Sequence, residues 1–186
     1  MMMDLMENLK KQLNDIPNNY IVLIETSSDR SFELSTAIVK YLSAKNDKGI
    51  IVSVNRPYTN LVDIYKKNNI DVSKMFILDC ISKNQNAVIN AKNVTFLDGV
   101  SALTDISLSI NEHMNGSKGG QFVFFDSITT MLIHNNPYIF TRFIHNVLTK
   151  MRLKGVGGLL ISVKGNSNNE IRAEIAQLCD KVIKIP

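Results

Sequence analysis

Tyr20–Leu42 reads YIVLIETSSDRSFELSTAIVKYL, and the change of pattern inside it decides the fold. Its first six residues, Tyr20–Glu25, form a short run of apolar and β-branched side chains without alternation. Such a run is the signature of a strand covered on both faces. The polar stretch Thr26–Ser31 follows. After it, Leu34, Ala37, Ile38, Tyr41 and Leu42 fall on one side of a helix, a stripe that can pack back on the sheet. Strand, loop and helix in this order make one unit of a parallel sheet.

The unit recurs in both directions. GIIVSV at Gly49–Val54 is a second strand, and Leu61, Ile64 and Tyr65 mark a helix after Pro57. MFILDC at Met75–Cys80 is a third strand and Val94–Leu97 a minor one. Leu103, Ile106, Ile110 and Met114 outline a helix closed by Gly116. FVFFD at Phe122–Asp126 is a further strand, followed by a long helix with Phe140, Phe143, Ile144, Val147 and Met151 inward. GGLLISV at Gly157–Val163, a helix with Ile171, Ile175 and Leu178, and KVIKI at Lys181–Ile185 complete the series. Upstream, Leu5, Leu9 and Leu13 recur every four residues. They predict a short amphipathic helix, so residues 1–15 are expected to be an N-terminal helical appendage to an α/β domain of residues 16–186. The predicted class is three-layer α/β, with a mainly parallel sheet and helices on both faces.

The 186 residues suit one domain of about 100–200 residues. A net charge of +4, from 21 basic and 17 acidic residues spread along the chain, gives no basic tract for nucleic acid. No run approaches the roughly 20 apolar residues of a membrane span, so a cytoplasmic protein is expected. Cys80 and Cys179 stand far apart in apolar settings and are read as buried reduced thiols. His113, His134 and His145 lack metal-ligand spacing. GSKGG at Gly116–Gly120 precedes a strand instead of opening a helix, so it reads as a connector.

In open α/β sheets ligands bind beyond the carboxyl ends of the strands, here the loops after Glu25, Val54, Asp126 and Val163. The first loop, Thr26, Ser27, Ser28, Asp29, Arg30, Ser31, Phe32 and Glu33, occupies the place of a phosphate cradle. At the end of FVFFD-S, Asp126 could hold a metal-bound water beside Ser127. Equally, either residue could simply cap the following segment.

In order and spacing, IPNNYIVLIE, GIIVSVNRP, LTDISLSINEHM, FVFFDSIT and LCDKVIKI together resemble the RecA/KaiC-like P-loop ATPases, especially single-domain archaeal-type members, from Ile16 to Ile185. The resemblance implies a P-loop NTPase fold, with Asp126 and Ser127 as its Walker B-like pair. The family's phosphate-loop pattern puts Ser31 at the glycine before the lysine, Phe32 at the lysine and Glu33 at the Mg²⁺-binding hydroxyl, a degenerate Walker A motif. Phe32 cannot bond phosphate, and Glu33 adds a like charge near it. Relatives carry a water-activating glutamate after the second strand, where this chain has Asn55 and Arg56.

The expected function is therefore non-catalytic: regulation or scaffolding through a protein partner or self-association, with no cofactor. The alternative is an atypical ATP-binding protein or weak ATPase in which Arg30 or Lys164 replaces the missing charge and Asp126 holds Mg²⁺. Arg30 is read as a surface residue paired with Asp29 or Glu33.

Overall fold

The computed structural model describes residues 2–45, 48–114, 120–165 and 168–186. Gly116 and most of the Gly116–Gly120 connector lie outside them. Seven strands, β1 (Ile21–Thr26), β2 (Lys48–Ser53), β3 (Met75–Asp79), β4 (Val94–Phe96), β5 (Gln121–Asp126), β6 (Gly157–Val163) and β7 (Lys181–Lys184), form one sheet in the order β4-β3-β2-β5-β6-β1-β7. Every pairing is parallel.

The alternation of each strand sends residues to two separate apolar layers. Val22, Ile24, Ile51, Phe124 and Ile161 point to one side. There they meet α1 (Met2–Leu13), α2 (Ser31–Ala44) and α3 (Tyr58–Lys67). Leu23, Val52, Phe125 and Leu160 point to the other. That side is covered by α4 (Leu103–His113), α5 (Ile128–Ile133), α6 (Pro137–Lys154) and α7 (Asn169–Gln177). The α1 stripe Leu5, Leu9 and Leu13 is buried in the same layer as Leu34, Ile38 and Leu159. Fully burying one leucine contributes about 1.5–3 kcal/mol, so this helix is anchored by its apolar face.

Between Asp126 and the long helix the sequence pattern is interrupted, and the chain makes two helices there. Asn136 caps the second, accepting bonds from the Tyr138 and Ile139 N–H groups, with Pro137 at its first position. It ends at Gly155, whose φ of +67° lets the chain turn and bond back to Arg152 and Met151 through residues 155 and 156. At Gly157 a Cβ would stand 2.1 Å from the Asn18 carbonyl oxygen, so the segment entering β1 lies directly against the start of β6.

Cys80 is buried and Cys179 half-buried, both as free thiols. Burial, chiefly, pushes each up to about 12, which leaves them protonated and unreactive. Among the described residues no helix is long and apolar enough to cross a membrane.

Candidate functional site

Because all strands run in parallel, the ends of β1, β2, β5 and β6 deliver their loops to one edge of the sheet. The loop Ser27–Arg30 turns tightly from β1 into α2. The Arg30 N–H donates to the Ser27 carbonyl at 3.3 Å, and the Ser31 hydroxyl donates to the Ser28 carbonyl at 3.0 Å. Thr26, the last residue of β1, is fully buried, and its hydroxyl has no partner among the described residues. Arg30 is exposed and precedes α2 without a side-chain cap. Its expected ion pair with Asp29 or Glu33 is not formed. Asp29 is instead held below the usual carboxylate range first by the Ser27 hydroxyl, with Arg30 a lesser influence. Two long exposed side chains gain too little from pairing to fix one geometry.

Phe32 emerges on the first turn of α2, 44% exposed. The Arg56 guanidinium, from the β2–α3 loop, lies over its ring at 3.9 Å from the centroid, a cation–π contact across the mouth of the edge. Glu33 is half-buried on the next position.

Asp126 sits at the end of β5, and the peptide bond joining it to Ser127 is cis. Its Oδ2 accepts a 2.6 Å hydrogen bond from the Ser35 hydroxyl of α2. Its backbone oxygen accepts from the Asn55 amide at 3.2 Å and from the Val54 N–H at 3.3 Å. Desolvation pushes the Asp126 carboxyl above the usual range, against the opposing pull of Ser35, Asn55 and Arg56. Nearby, burial and the Asp126 charge push the Tyr65 hydroxyl upward, and it too has no partner.

Ser127 caps α5 by accepting from the Thr130 N–H at 3.3 Å. Thr130 in turn donates to the Asn55 side-chain oxygen at 2.7 Å, tying the loop after β2 to the start of α5. Thr129 accepts from the Val163 N–H at 2.8 Å and ties α5 to the end of β6. Together these groups enclose a cleft of about 250 Å³ whose walls are Ser28, Ser31 and Phe32 on one side and Asp126, Ser127 and Thr130 on the other.

The structure thus brings Ser28, Ser31, Phe32, Asp126 and Ser127 to one cleft. Lys164 is exposed beyond β6, and its backbone N–H donates to the Thr26 carbonyl at 2.8 Å. His113 stacks on Phe76 at 3.6 Å between centroids, while His134 and His145 are exposed, and the described residues contain no metal-binding cluster. Ser35 and the double role of Asn55 were not legible in the sequence. Their partners lie 91, 71 and 75 residues away, and neither belongs to a local motif.

No family model and no curated protein matches the chain. Solved structures do. The uncharacterized protein PH0321 from Pyrococcus horikoshii, crystallised in complex with an unknown peptide, is similar with a TM-score of 0.73 and 15% identity, over 96% of this chain and 82% of its own. The KaiC-like protein PH0186 from the hyperthermophilic archaeon Pyrococcus horikoshii OT3 is similar with a TM-score of 0.58 and 13% identity, over 91% of this chain and 72% of its own. The fold is KaiC/RecA-like. The expected three-layer α/β class stands, and the sheet is parallel throughout. Within this fold the cleft lies at the carboxyl ends of the strands, between the loop after β1 and Asp126–Ser127 after β5.

Proposed function

We propose that this KaiC/RecA-like domain is non-catalytic and acts in the cytoplasm as a regulatory or scaffolding protein through association with a protein partner or with itself. The observation that supports the reading is the Arg56–Phe32 contact at 3.9 Å: the residue that the phosphate-loop pattern puts at the lysine position is an aromatic ring covered by a guanidinium. The residues around it do not fit Mg²⁺ and a triphosphate. The turn Thr26–Ser31 contains no glycine, the residue that lets a phosphate loop bring its backbone N–H groups close around an anion. Glu33 brings a negative charge to the first turn of α2. Asp126 already holds the Ser35 hydroxyl at 2.6 Å and resists ionisation, which makes it a poor anchor for a cation shell. The cleft of about 250 Å³ is also smaller than the roughly 300–1,000 Å³ of ordinary small-molecule pockets.

Association agrees with one further fact: the similarly folded PH0321 was crystallised with a peptide. Calorimetric titration with ATP and with ADP in the presence of Mg²⁺, on wild type and on Asp126→Ala and Arg30→Ala, tests the proposal. No heat and no thermal stabilisation at millimolar nucleotide is the expected result. Saturable binding that either substitution abolishes would replace it with an atypical ATP-binding function.

A further inference from the structure

Arg56, half-buried in the loop between β2 and α3, lines the cleft of about 250 Å³. Its guanidinium makes no ion pair and donates no hydrogen bond among the described residues, although Asp126 feels its charge. What it touches is the face of the Phe32 ring, 3.9 Å away at the centroid. A guanidinium carries five N–H donors in one plane, so stacking covers a face and leaves the donors at the edge open. An open planar fork of this kind bonds a carboxylate through two parallel hydrogen bonds.

The other walls suit the same group. Thr129 accepts the Val163 N–H at 2.8 Å and keeps its own hydroxyl proton to donate. Ser28 adds an exposed hydroxyl to the lining. Asp126 is the acid of the lining, and desolvation favours its neutral form, which donates to an incoming carboxylate instead of repelling it. Asp29 and Glu33 stand outside the lining. The volume fits one side chain better than a whole small molecule. Phe32, 44% exposed, supplies apolar surface at the mouth for whatever is joined to that side chain. An arginine beside an open aromatic ring is also the pairing that dominates protein interfaces.

We propose that the cleft receives an aspartate or glutamate side chain of a partner protein, bonded by the Arg56 fork and the Thr129 hydroxyl, with an apolar residue next to it in the partner packed on Phe32. A free acid would gain the ion pair alone, whereas a peptide gains the ring contact as well. The site rests on the association function proposed above and names the chemistry of the partner.

The test is NMR titration of the ¹⁵N-labelled full chain with acetyl-Leu-Glu-Leu-amide and acetyl-Leu-Asp-Leu-amide. At least one should shift the Arg56 Nε–H and the Phe32 backbone N–H saturably by about 20 mM, and more weakly as salt rises. The uncharged acetyl-Leu-Gln-Leu-amide should bind about tenfold or more weakly. This comparison is made on wild type and needs no variant to fold. Arg56→Lys keeps the charge but loses the fork, and should also weaken binding about tenfold or more. Phe32→Ala should weaken it about two- to fivefold, and Lys150→Gln on the opposite layer should leave it unchanged. Circular dichroism checks that each variant is folded. Unshifted cleft resonances with both acidic peptides would overturn the proposal, as would an equal response to the glutamine peptide or undiminished binding by Arg56→Lys. Acetyl-Leu-Gln-Leu with a free terminal carboxylate is the other source of the same group, and binding by it alone would overturn the side-chain assignment. Titration of the same samples with ATP and Mg²⁺ separates the readings. A protein that binds both the acidic peptide through Arg56 and ATP keeps this site and loses the non-catalytic assignment, whereas one that ignores both loses only the site.

Discussion

Ser35 and Asp126 offer the sharpest quantitative check on the site, because one 2.6 Å hydrogen bond joins a serine of α2 to a desolvated carboxyl at the end of β5. A hydrogen bond to a charged group contributes about 1.5–3 kcal/mol, against about 1 kcal/mol for a neutral pair. Ser35→Ala should therefore cost roughly 1.5–3 kcal/mol where Asp126 is ionised. For a domain of this size that is a fall in Tm of roughly 3–12 °C, at about 2–4 °C per kcal/mol. In an Asp126→Asn background, with no charge to stabilise, the same serine deletion should cost only about 1 kcal/mol.

Acidity supplies the second axis of the experiment. The folded carboxyl binds its proton more tightly than the unfolded one, so its ionisation costs stability. That cost is absent below the ordinary carboxylate value of 3.8 and grows as pH rises through the raised folded value. Wild type should accordingly lose stability relative to Asp126→Asn between about pH 4 and about pH 8. The Ser35→Ala penalty should grow over the same interval. Urea melts of the four proteins of the cycle at both pH values measure all of this. A Ser35→Ala penalty that is equal in both backgrounds and at both pH values would refute the reasoning, as would an Asp126→Asn variant that loses ground to wild type as pH rises.

Two further outcomes follow from the fold. Gly157→Ala should destabilise far more than Gly158→Ala in thermal melts. The first Cβ would meet the Asn18 backbone oxygen at 2.1 Å, whereas the second meets only the movable Met151 Cε at 2.4 Å. Leu9→Ala, at a fully buried position, should cost about 2–5 kcal/mol in urea melts, and Lys10→Ala on the exposed side of the same helix less than about 0.5 kcal/mol.

The architecture was readable because burial on both faces writes itself into sequence as continuous apolar runs. Tyr20–Glu25, Gly49–Val54 and Gly157–Val163 match β1, β2 and β6 to within one residue at each end. Helix stripes were equally legible, down to Leu5, Leu9 and Leu13. Less visible was the division between α5 and α6. Its signal, Asn135-Asn136-Pro137, was present as a cap and a first-position proline, but the strong apolar spacing of Phe140–Met151 drew attention past it. Side-chain partnerships are a different matter. Periodicity says which face of a helix is buried, never which hydroxyl meets which carboxylate across the sheet, and so Ser35 passed as one more polar residue between Leu34 and Ala37.

That blind spot bears on what Asp126 is for. Sequence offered two roles, ligand to a metal-bound water or cap of the next segment, and the geometry divides them between neighbours: Ser127 caps α5, while the Asp126 carboxyl turns to α2. An unpaired carboxylate in this setting would cost several kcal/mol. Here a serine bonds one of its oxygens, and the charge of Arg56 opposes part of the desolvation. Arg56 then does two things from one position, since it also covers Phe32. Asn55 fastens β2 to β5 and α5. Phe32 and Ser31, two of the residues that depart from the expected phosphate-binding pattern, make contacts within the chain, to Arg56 and to the Ser28 carbonyl. Ser35, Arg56 and Asn55 thus brace this edge from within the chain, which agrees with the non-catalytic reading proposed above.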